Sequence, residues 1–364
     1  MQLRGQQTHY VLLVAMRILA KMVKRYYAGI MSATEPTVTT VTATGFFNTN
    51  QQMQAKQAGA WPQAVTYLNY STPGTYTFSV PSDVSVISAM AVGGGGAGDD
   101  GNTGDGGGGG GSGASAGYFN NLTVTPGSSM TIVVGAGGPA STVKGQQAPN
   151  GSPSSVTYGS FVMTSPGGIG GNPYSTTPGA NPPSGPNFSN TPVGVGTGGF
   201  AGGGGGAAYD GGAGGGGAGG LAGVGGNGSR AFSGYGAYVS GFNGVGGGGG
   251  GGGAYTNAGT ASTNNGFSSA AGGTGTGDNN GPGGGGGGCA TYSASLPPTA
   301  GGNGNGSIVA PSQGGAGGFP GGGGGGSFDN NTGVGSAGGN GFIRLVWGTN
   351  ASGARQFPTN AGDA

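Results

Sequence analysis

The stretch that decides the fold is Gly246–Gly253, a run of eight consecutive glycines. Three shorter runs resemble it: Gly202–Gly206, Gly283–Gly288 and Gly321–Gly326. Glycine loses more backbone entropy on ordering than any other residue, by roughly 0.5–1 kcal/mol relative to alanine in a regular element. The runs therefore either stay disordered as flexible linkers or pack side by side as polyproline-II helices, in which missing side chains let backbones touch.

Bulky residues beside the runs favour the packed alternative, because Gly/Ser linkers are monotonous and polar. The runs end at residues 206, 253, 288 and 326 and form an imperfect repeat, which indicates stacked, quasi-regular architecture. We expect antiparallel rods joined by loops. The aromatic residues next to the rods are predicted to cap the rod ends and to be half-buried: Phe200, Tyr209, Tyr255, Phe319 and Phe328.

Composition narrows the class of protein. Of 364 residues, 101 are glycine and 5% are charged, with 14 Tyr and 14 Phe. Disordered tails normally combine high charge with few aromatic residues, and collagen needs a strict Gly-X-Y period that is absent here. The net charge of +1 gives no strong attraction to nucleic acid, so no nucleic-acid partner is expected. The single cysteine, Cys289, excludes an intrachain disulfide.

A β-scaffold is predicted over residues 74–164. Apolar residues alternate with Thr and Ser along Tyr76–Val80, and a second strand runs to Val92. Two further strands, Tyr118–Val124 and Met130–Val134, flank the turn signal Pro126-Gly127. A hairpin is predicted through Gly159-Ser160, and Phe342–Trp347 is predicted to return to this scaffold, so that the glycine rods form a long insertion.

The rest of the chain is less regular. Residues 1–31 contain apolar residues at heptad spacing, which indicates an attachment or oligomerisation helix; a membrane-surface helix and a translated leader upstream of Met31 are the alternatives. The predicted organisation is an N-terminal helix or leader (1–31), a linker or collar (32–73), the β-scaffold (74–164), polyglycine-II rods with loop tips (165–341), the closing strand (342–347) and a loose tail (348–364). The fold class is thus mostly β plus polyglycine-II, with a short N-terminal α-helix.

Several segments together resemble the glycine-rich domain of bacteriophage tail-fibre and appendage proteins. They are Thr75–Pro81, Val92–Gly96, Gly117-Tyr118 with Thr125–Gly127, Val134–Gly138 and Asn340–Trp347. The glycine-run region is also similar to the distal receptor-binding adhesins of T-even phages. The resemblance covers roughly residues 74–347. It implies a layered sandwich of polyglycine-II helices whose loops contact bacterial surface proteins or sugars.

The sequence contains few of the side chains that catalytic and cofactor-binding sites need. One His, one Cys and one Glu leave almost nothing for a triad, so no enzyme activity is expected. G-x-G-x-x-G matches occur by chance here and lack a strand–loop–helix unit, so no cofactor is expected. The cluster Asp99, Asp100 and Asp105 loosely resembles a calcium loop but lacks its alternating ligands and closing Glu. It is interpreted as a solvated turn, with no metal expected.

The remaining candidates are aromatic residues in loops farther from the rods, in the Tyr-, Ser-, Asn- and Gly-rich composition of antibody paratopes. They are Tyr174, Phe188, Phe232, Tyr235, Tyr238, Phe242 and Tyr292. Together with the resemblance to tail-fibre proteins, these residues imply a virion adhesin that binds a host cell-surface receptor, with virion proteins as partners of the N-terminal region and a homo-oligomer as a further option. A purely structural virion or cell-wall protein is the alternative, and an ice-binding protein is a third hypothesis.

Overall fold

The computed structural model describes residues 37–38, 43–44, 66–101, 106–173, 183–208, 211–231, 240–253, 263–264, 267–275, 281–305, 312–328, 333–350, 353–359 and 361. The chain divides into two units, residues 1–65 and 66–364. In the first unit the described residues form one short antiparallel pair, β1 (Thr37–Val38) with β2 (Ala43–Thr44). The predicted N-terminal helix lies outside the described residues, and those that are described contain no α-helix.

The second unit contains the remaining strands. They are β3 (Tyr67–Tyr70), β4 (Gly74–Ser79), β5 (Val86–Val92), β6 (Ala116–Thr123), β7 (Ser129–Val134), β8 (Ser154–Tyr158), β9 (Phe161–Ser165), β10 (Asn187–Ser189), β11 (Gly196–Phe200), β12 (Thr263–Asn264), β13 (Phe267–Ser268), β14 (Phe342–Trp347), β15 (Thr349–Asn350) and β16 (Gly353–Ala354). Ten of them form two antiparallel five-stranded sheets. Sheet 1 has the order β10-β9-β8-β7-β4 and sheet 2 the order β11-β6-β5-β14-β3.

The two sheets pack face to face over a shared apolar core. Phe119 of sheet 2 meets Phe161 of sheet 1 edge to face, with ring centroids 5.1 Å apart. Phe78 of sheet 1 contacts Trp347 of sheet 2 at 5.5 Å between centroids. The alternating pattern of β4 follows from this arrangement, because Phe78 points into the core while the flanking Thr77 and Ser79 face solvent. The predicted mostly-β, antiparallel scaffold is confirmed.

Strand β14 of sheet 2 is buried on both faces, which explains its apolar sequence. Every residue of β14 is buried, and the strand pairs with β5 on one side and β3 on the other. Ile343 and Leu345 face the core between the sheets, whereas Phe342 and Val346 face a second cluster that contains Leu221. The predicted return of residues 342–347 to the scaffold is confirmed by this pairing.

The glycine-rich segments form a body of hydrogen-bonded, side-chain-free chains, which we call the glycine body. It comprises the described parts of residues 93–115, 135–153, 166–173 and 201–341. Residues 213–219 lie at its centre and bond to six neighbouring segments: 108–114, 203–206, 226–229, 248–251, 284–287 and 323–326. All seven N–H groups of residues 213–219 donate to carbonyl oxygens of these neighbouring segments. No backbone donor of this central segment is therefore left without a partner.

Along residues 213–219, every third N–H group donates to the same neighbouring segment. The N–H groups of residues 213, 216 and 219 donate to residues 108, 111 and 114, whereas those of residues 214 and 217 donate to residues 229 and 226. The N–H groups of residues 215 and 218 donate to residues 284 and 287. Rising partner numbers identify parallel neighbours and falling numbers identify antiparallel ones. The body therefore mixes both directions, which corrects the expectation of antiparallel rods alone.

Close backbone approach explains why these segments are glycine. An added Cβ at Gly216 would lie 2.0 Å from the carbonyl oxygen of Gly203, and one at Gly217 would lie 2.0 Å from that of Gly248. Such distances are far inside van der Waals contact, so any side chain would push the segments apart. The glycine composition and the close packing therefore depend on each other, because the backbone of each segment occupies the space that a side chain of its neighbour would need.

Three boundaries differ from those expected. Tyr67–Tyr70, placed in the linker, is strand β3 and pairs with β14. The tail is not loose, because Arg355, Phe357 and Ala361 are buried. The glycine body is not a single insertion, since the β5–β6, β7–β8, β9–β10 and β11–β14 connections all contribute to it. The predicted excursion Gly93–Gly113 is one of these contributions.

Candidate functional site

The glycine body contacts the scaffold at the ends of the strands of both sheets. We call this end of the glycine body the near end. Strands β5, β7, β9 and β11 end here and β6, β8 and β14 begin here, as their register shows: Val92 pairs with both Ala116 and Phe342. Two buried serines of sheet 1 join the sheets at this edge. Ser154 Oγ donates to the Val92 carbonyl at 2.7 Å and Ser165 Oγ donates to the Ala91 carbonyl at 2.9 Å.

The opposite end of the glycine body, the far end, collects the remaining connections. Hydrogen-bond register identifies it, because residues 213 and 108 pair there while residues 219 and 114 pair at the near end. Gly107 bridges Phe328, Gly108 bridges Pro173 and Ala208 bridges Ala231. Segments far apart in sequence thus reach one surface.

Eight connections leave the described body at the far end. Six have both flanking residues there, at 101 and 106, 208 and 211, 231 and 240, 275 and 281, 305 and 312, and 328 and 333. Two more, after residues 173 and 253, have one flanking residue there. The glycine segments therefore place the flanking residues of all these connections at one end of the body.

Four of the seven predicted binding residues belong to connections at this end. Tyr174 directly follows Pro173, and Phe232, Tyr235 and Tyr238 lie between Ala231 and residue 240. All four are outside the described residues, so their own positions stay predictions. Their anchoring residues, Pro173 and Ala231, are in the backbone bridges of the far end.

The other three predicted binding residues lie elsewhere. Phe188 sits in β10 and packs, half-buried, against the core between the sheets. Phe242 is 53% exposed, but its N–H donates to the Asn227 carbonyl, which places it along the side of the glycine body. Tyr292 is 1% exposed at the near end and meets Phe357 edge to face. A receptor cannot reach the Tyr292 ring, so we correct its assignment to a packing residue.

The expected capping aromatic residues also separate. Phe328 is buried at the far end, beside the Ser312 hydroxyl that accepts its N–H at 3.1 Å. Phe319 is half-buried at the near end against Phe342, with ring centroids 5.8 Å apart. Phe200 is 40% exposed at the end of β11. Tyr209 and Tyr255 fall outside the described residues.

Two acidic residues at the far end depart from the expected solvated turn. Asp99 and Asp100 are both buried, and Asp99 Oδ2 accepts a hydrogen bond from the Gly101 N–H at 2.9 Å. The pKa of Asp99 is raised to about 8, mainly by burial and in smaller part by the neighbouring Asp100 carboxylate, while the hydrogen bond from Gly101 opposes the rise. Sequence reasoning missed this burial because nothing local marks a turn residue that neighbouring glycine segments will enclose.

Other kinds of site are not evident in the part of the chain that the structure describes. No group of three or more His, Cys, Asp or Glu side chains converges there, and no helix of those residues has the length and apolar character to cross a bilayer. Burial raises the pKa of the Cys289 thiol to about 12, which makes this thiol unreactive.

Comparison with known proteins agrees with the glycine-rich architecture. No curated protein matches the chain. The family model described as a glycine-rich domain matches residues 71–310, roughly two thirds of the chain. The matched range begins just before β4 and includes most of the glycine body. The chain therefore belongs to the glycine-rich domain family.

Proposed function

We propose that the glycine body is a bundle of polyglycine-II helices and that it presents receptor-binding loops at its far end. The three-residue recurrence of hydrogen-bond partners supports this assignment, because a polyproline-II-type helix has three residues per turn and no internal hydrogen bonds. Each of its faces must then bond to a different neighbour. The six neighbours of residues 213–219 are the arrangement that such a helix requires when it is fully surrounded.

The protein functions, in this proposal, as a tail-fibre or appendage adhesin of a bacteriophage. The observation that carries it is the collection of eight connections at one end of a rigid body. Among these connections, residues 232–239 and the segment after Pro173 contain aromatic residues among Ser, Asn and Gly. Tyr and Phe give large contact area at a low cost in side-chain entropy, and they suit both protein and sugar receptors.

The location and partners follow from the same proposal. The protein would be part of the virion, outside the host cell, and its ligand would be a surface protein or glycan of a bacterium. The unit of residues 1–65 would contact other tail proteins or further copies of the chain. Binding, rather than catalysis, is the proposed role.

Cell binding tests the proposal. We expect the labelled full chain to bind intact cells of at least one strain in a bacterial panel, with saturation. Replacing Tyr174, Phe232, Tyr235 and Tyr238 together by serine should weaken that binding about tenfold or more, because aromatic anchors dominate such interfaces. The measurement is a binding isotherm on cells, with the melting temperature recorded for each variant.

The control is Phe200→Ser, which removes an exposed aromatic ring from the scaffold rather than from the far end. Its binding should equal that of the unmodified protein. Equal binding by the quadruple variant would contradict the assignment of the far end. A chain that binds no strain at all would favour the purely structural alternative, in which the glycine layers supply stiffness only.

A further inference from the structure

Asn-Gly pairs recur at the surface of the glycine body. In the pair Asn227-Gly228, Asn227 Oδ1 accepts a hydrogen bond from the Gly204 N–H at 2.8 Å, and the Gly228 N–H donates to the Gly204 carbonyl at 2.9 Å. The side-chain amide thus takes the place of a backbone carbonyl as the acceptor for the Gly204 N–H. We call these two hydrogen bonds, one to the Asn oxygen and one from the following glycine N–H, the Asn-Gly clamp.

Three further Asn-Gly pairs form the same clamp. Asn303 Oδ1 accepts from the Thr274 N–H, and the Gly304 N–H donates to the Thr274 carbonyl, both at 2.9 Å. Asn150 and Asn340 accept from the N–H groups of residues 170 and 137, at 2.7 and 3.1 Å. The glycines that follow them donate to the carbonyls of residues 168 and 135. In all four pairs, therefore, the Asn side chain and the next backbone N–H are both held by a neighbouring segment.

The pair Asn243-Gly244 is different. Its segment is attached to the glycine body by the N–H groups of Phe242 and Val245, which donate to the carbonyls of residues 227 and 224 at 2.9 Å. The Gly244 N–H has no hydrogen-bond acceptor among the residues that the structure describes. The nitrogen that follows Asn243 thus lacks the hydrogen bond that holds the corresponding nitrogen in the four clamped pairs.

Exposure does not separate these five pairs. All five asparagines are exposed, and the following glycine is buried in Asn227-Gly228 and Asn340-Gly341 as it is in Asn243-Gly244. Solvent therefore reaches the five side chains alike. What distinguishes Asn243 is the hydrogen bonding of the nitrogen next to it.

We propose that Asn243 is a site of spontaneous covalent modification, at which its side-chain amide is converted to a carboxyl group. Gly244 N loses its proton to hydroxide from the solvent and attacks Cγ of Asn243. The new N–Cγ bond closes a five-membered imide, the Cγ–Nδ2 bond breaks, and Nδ2 takes up a proton and leaves as ammonia. A water molecule then opens the imide at either carbonyl and yields aspartate or isoaspartate. Glycine favours the closure because it has no side chain to hinder the close approach.

The clamp slows the same reaction at the other four asparagines. Ring closure needs a nitrogen that has lost its proton and a side chain that rotates until Cγ reaches that nitrogen. At Asn227 these two changes break the hydrogen bonds to the Gly204 N–H and to the Gly204 carbonyl. The reaction must then wait for local opening of the segment, so we expect conversion at Asn227 to be about tenfold slower or more than at Asn243.

The modified protein differs from the unmodified one in charge as well as in mass. A carboxylate at position 243 cancels the formal net charge of +1, and it lies next to the exposed Phe242 and near the exposed Val245. Ion exchange should therefore separate the two forms of the full chain. This inference concerns the side of the glycine body and holds whether or not the far end binds a receptor.

Incubation of the folded full chain in mildly alkaline buffer tests the proposal, with peptide mapping by mass spectrometry at successive times. Conversion at Asn243 should be faster than at Asn227, its matched control, by about tenfold or more. The same chain unfolded in denaturant supplies the reference, because each of the five asparagines is then followed by a glycine without a clamp. In the unfolded chain the rates at Asn243 and Asn227 should be similar.

Two results would overturn the proposal. One is equal conversion of Asn243 and Asn227 in the folded chain. The other is a rate at Asn243 that folding reduces by as much as it reduces the rate at Asn227. Both results compare sites within one molecule, so neither depends on a variant that fails to fold.

Discussion

Replacing Gly216 by alanine is expected to lower the free energy of unfolding by about 3 kcal/mol or more, although alanine is normally the better residue in ordered structure. The new Cβ would lie 2.0 Å from the Gly203 carbonyl oxygen and 2.6 Å from its carbon. Both are backbone atoms held by their own hydrogen bonds, since the Gly203 N–H donates to Gly217 and the Gly216 N–H donates to Gly111. Neither segment can move without breaking these bonds.

The matched control is Gly185→Ala. An added Cβ at Gly185 meets nothing within 4 Å, so alanine there should be neutral or should stabilise by about 0.4–1 kcal/mol through the unfolded state. Chemical denaturation monitored by circular dichroism gives both values. If the glycine runs were disordered linkers, the two substitutions would behave alike, and equal stabilities would therefore refute the packed glycine body.

Strands β4 to β9 and β14 were predictable because each carries its own local signal. Tyr76 and Phe78 alternate with Thr in β4, and the turn at Pro126-Gly127 needs the positive φ of +77° that Gly127 adopts. Such features act over a few residues and can be read locally. Phe342–Trp347 was recognisable for the same reason, as a short apolar run with β-branched and aromatic residues.

Elements defined only by distant partners were not predictable. Strand β3 has four residues and no clear alternation of apolar and polar side chains. It forms because it pairs with β14, which lies some 270 residues later in the sequence. The C-terminal segment looked polar and loose, but Phe357 is buried against Tyr292, and its backbone exchanges two hydrogen bonds with the Asn120 side chain. Local composition contains no information on either partner.

The candidate site shows the same limit. Composition identified the aromatic loops, but the end of the glycine body at which each loop lies depends on the hydrogen-bond register. Tyr174 and Tyr292 look alike in sequence, yet the chain leaves the far end next to the first, whereas the second is enclosed at the near end. The register follows from which glycines face which carbonyls, and runs of identical residues do not specify it.

Arg344→Ala is expected to destabilise the fold by about 3 kcal/mol, because it removes a buried side chain together with partners in two other segments. Arg344 is fully buried in β14. Its Nε donates to the Ala361 carbonyl at 3.0 Å, a guanidinium N–H donates to Asn69 Oδ1 of β3 at 2.9 Å, and the guanidinium carbon lies 4.4 Å from the centroid of the Tyr67 ring. Alanine would leave the buried Ala361 carbonyl and the half-buried Asn69 oxygen without this donor.

The control is Arg230→Ala, an exposed arginine in the glycine body whose loss should change the free energy of unfolding by less than about 0.5 kcal/mol. Arg344→Lys separates charge from geometry. Lysine keeps the charge but lacks the planar fork that reaches Asn69 and Ala361 together, so most of the destabilisation should remain. Denaturant unfolding of the three variants measures these differences. Arg344→Lys with the stability of the unmodified protein would mean that charge alone, and not the two directed hydrogen bonds, attaches β3 and the C-terminal segment to β14.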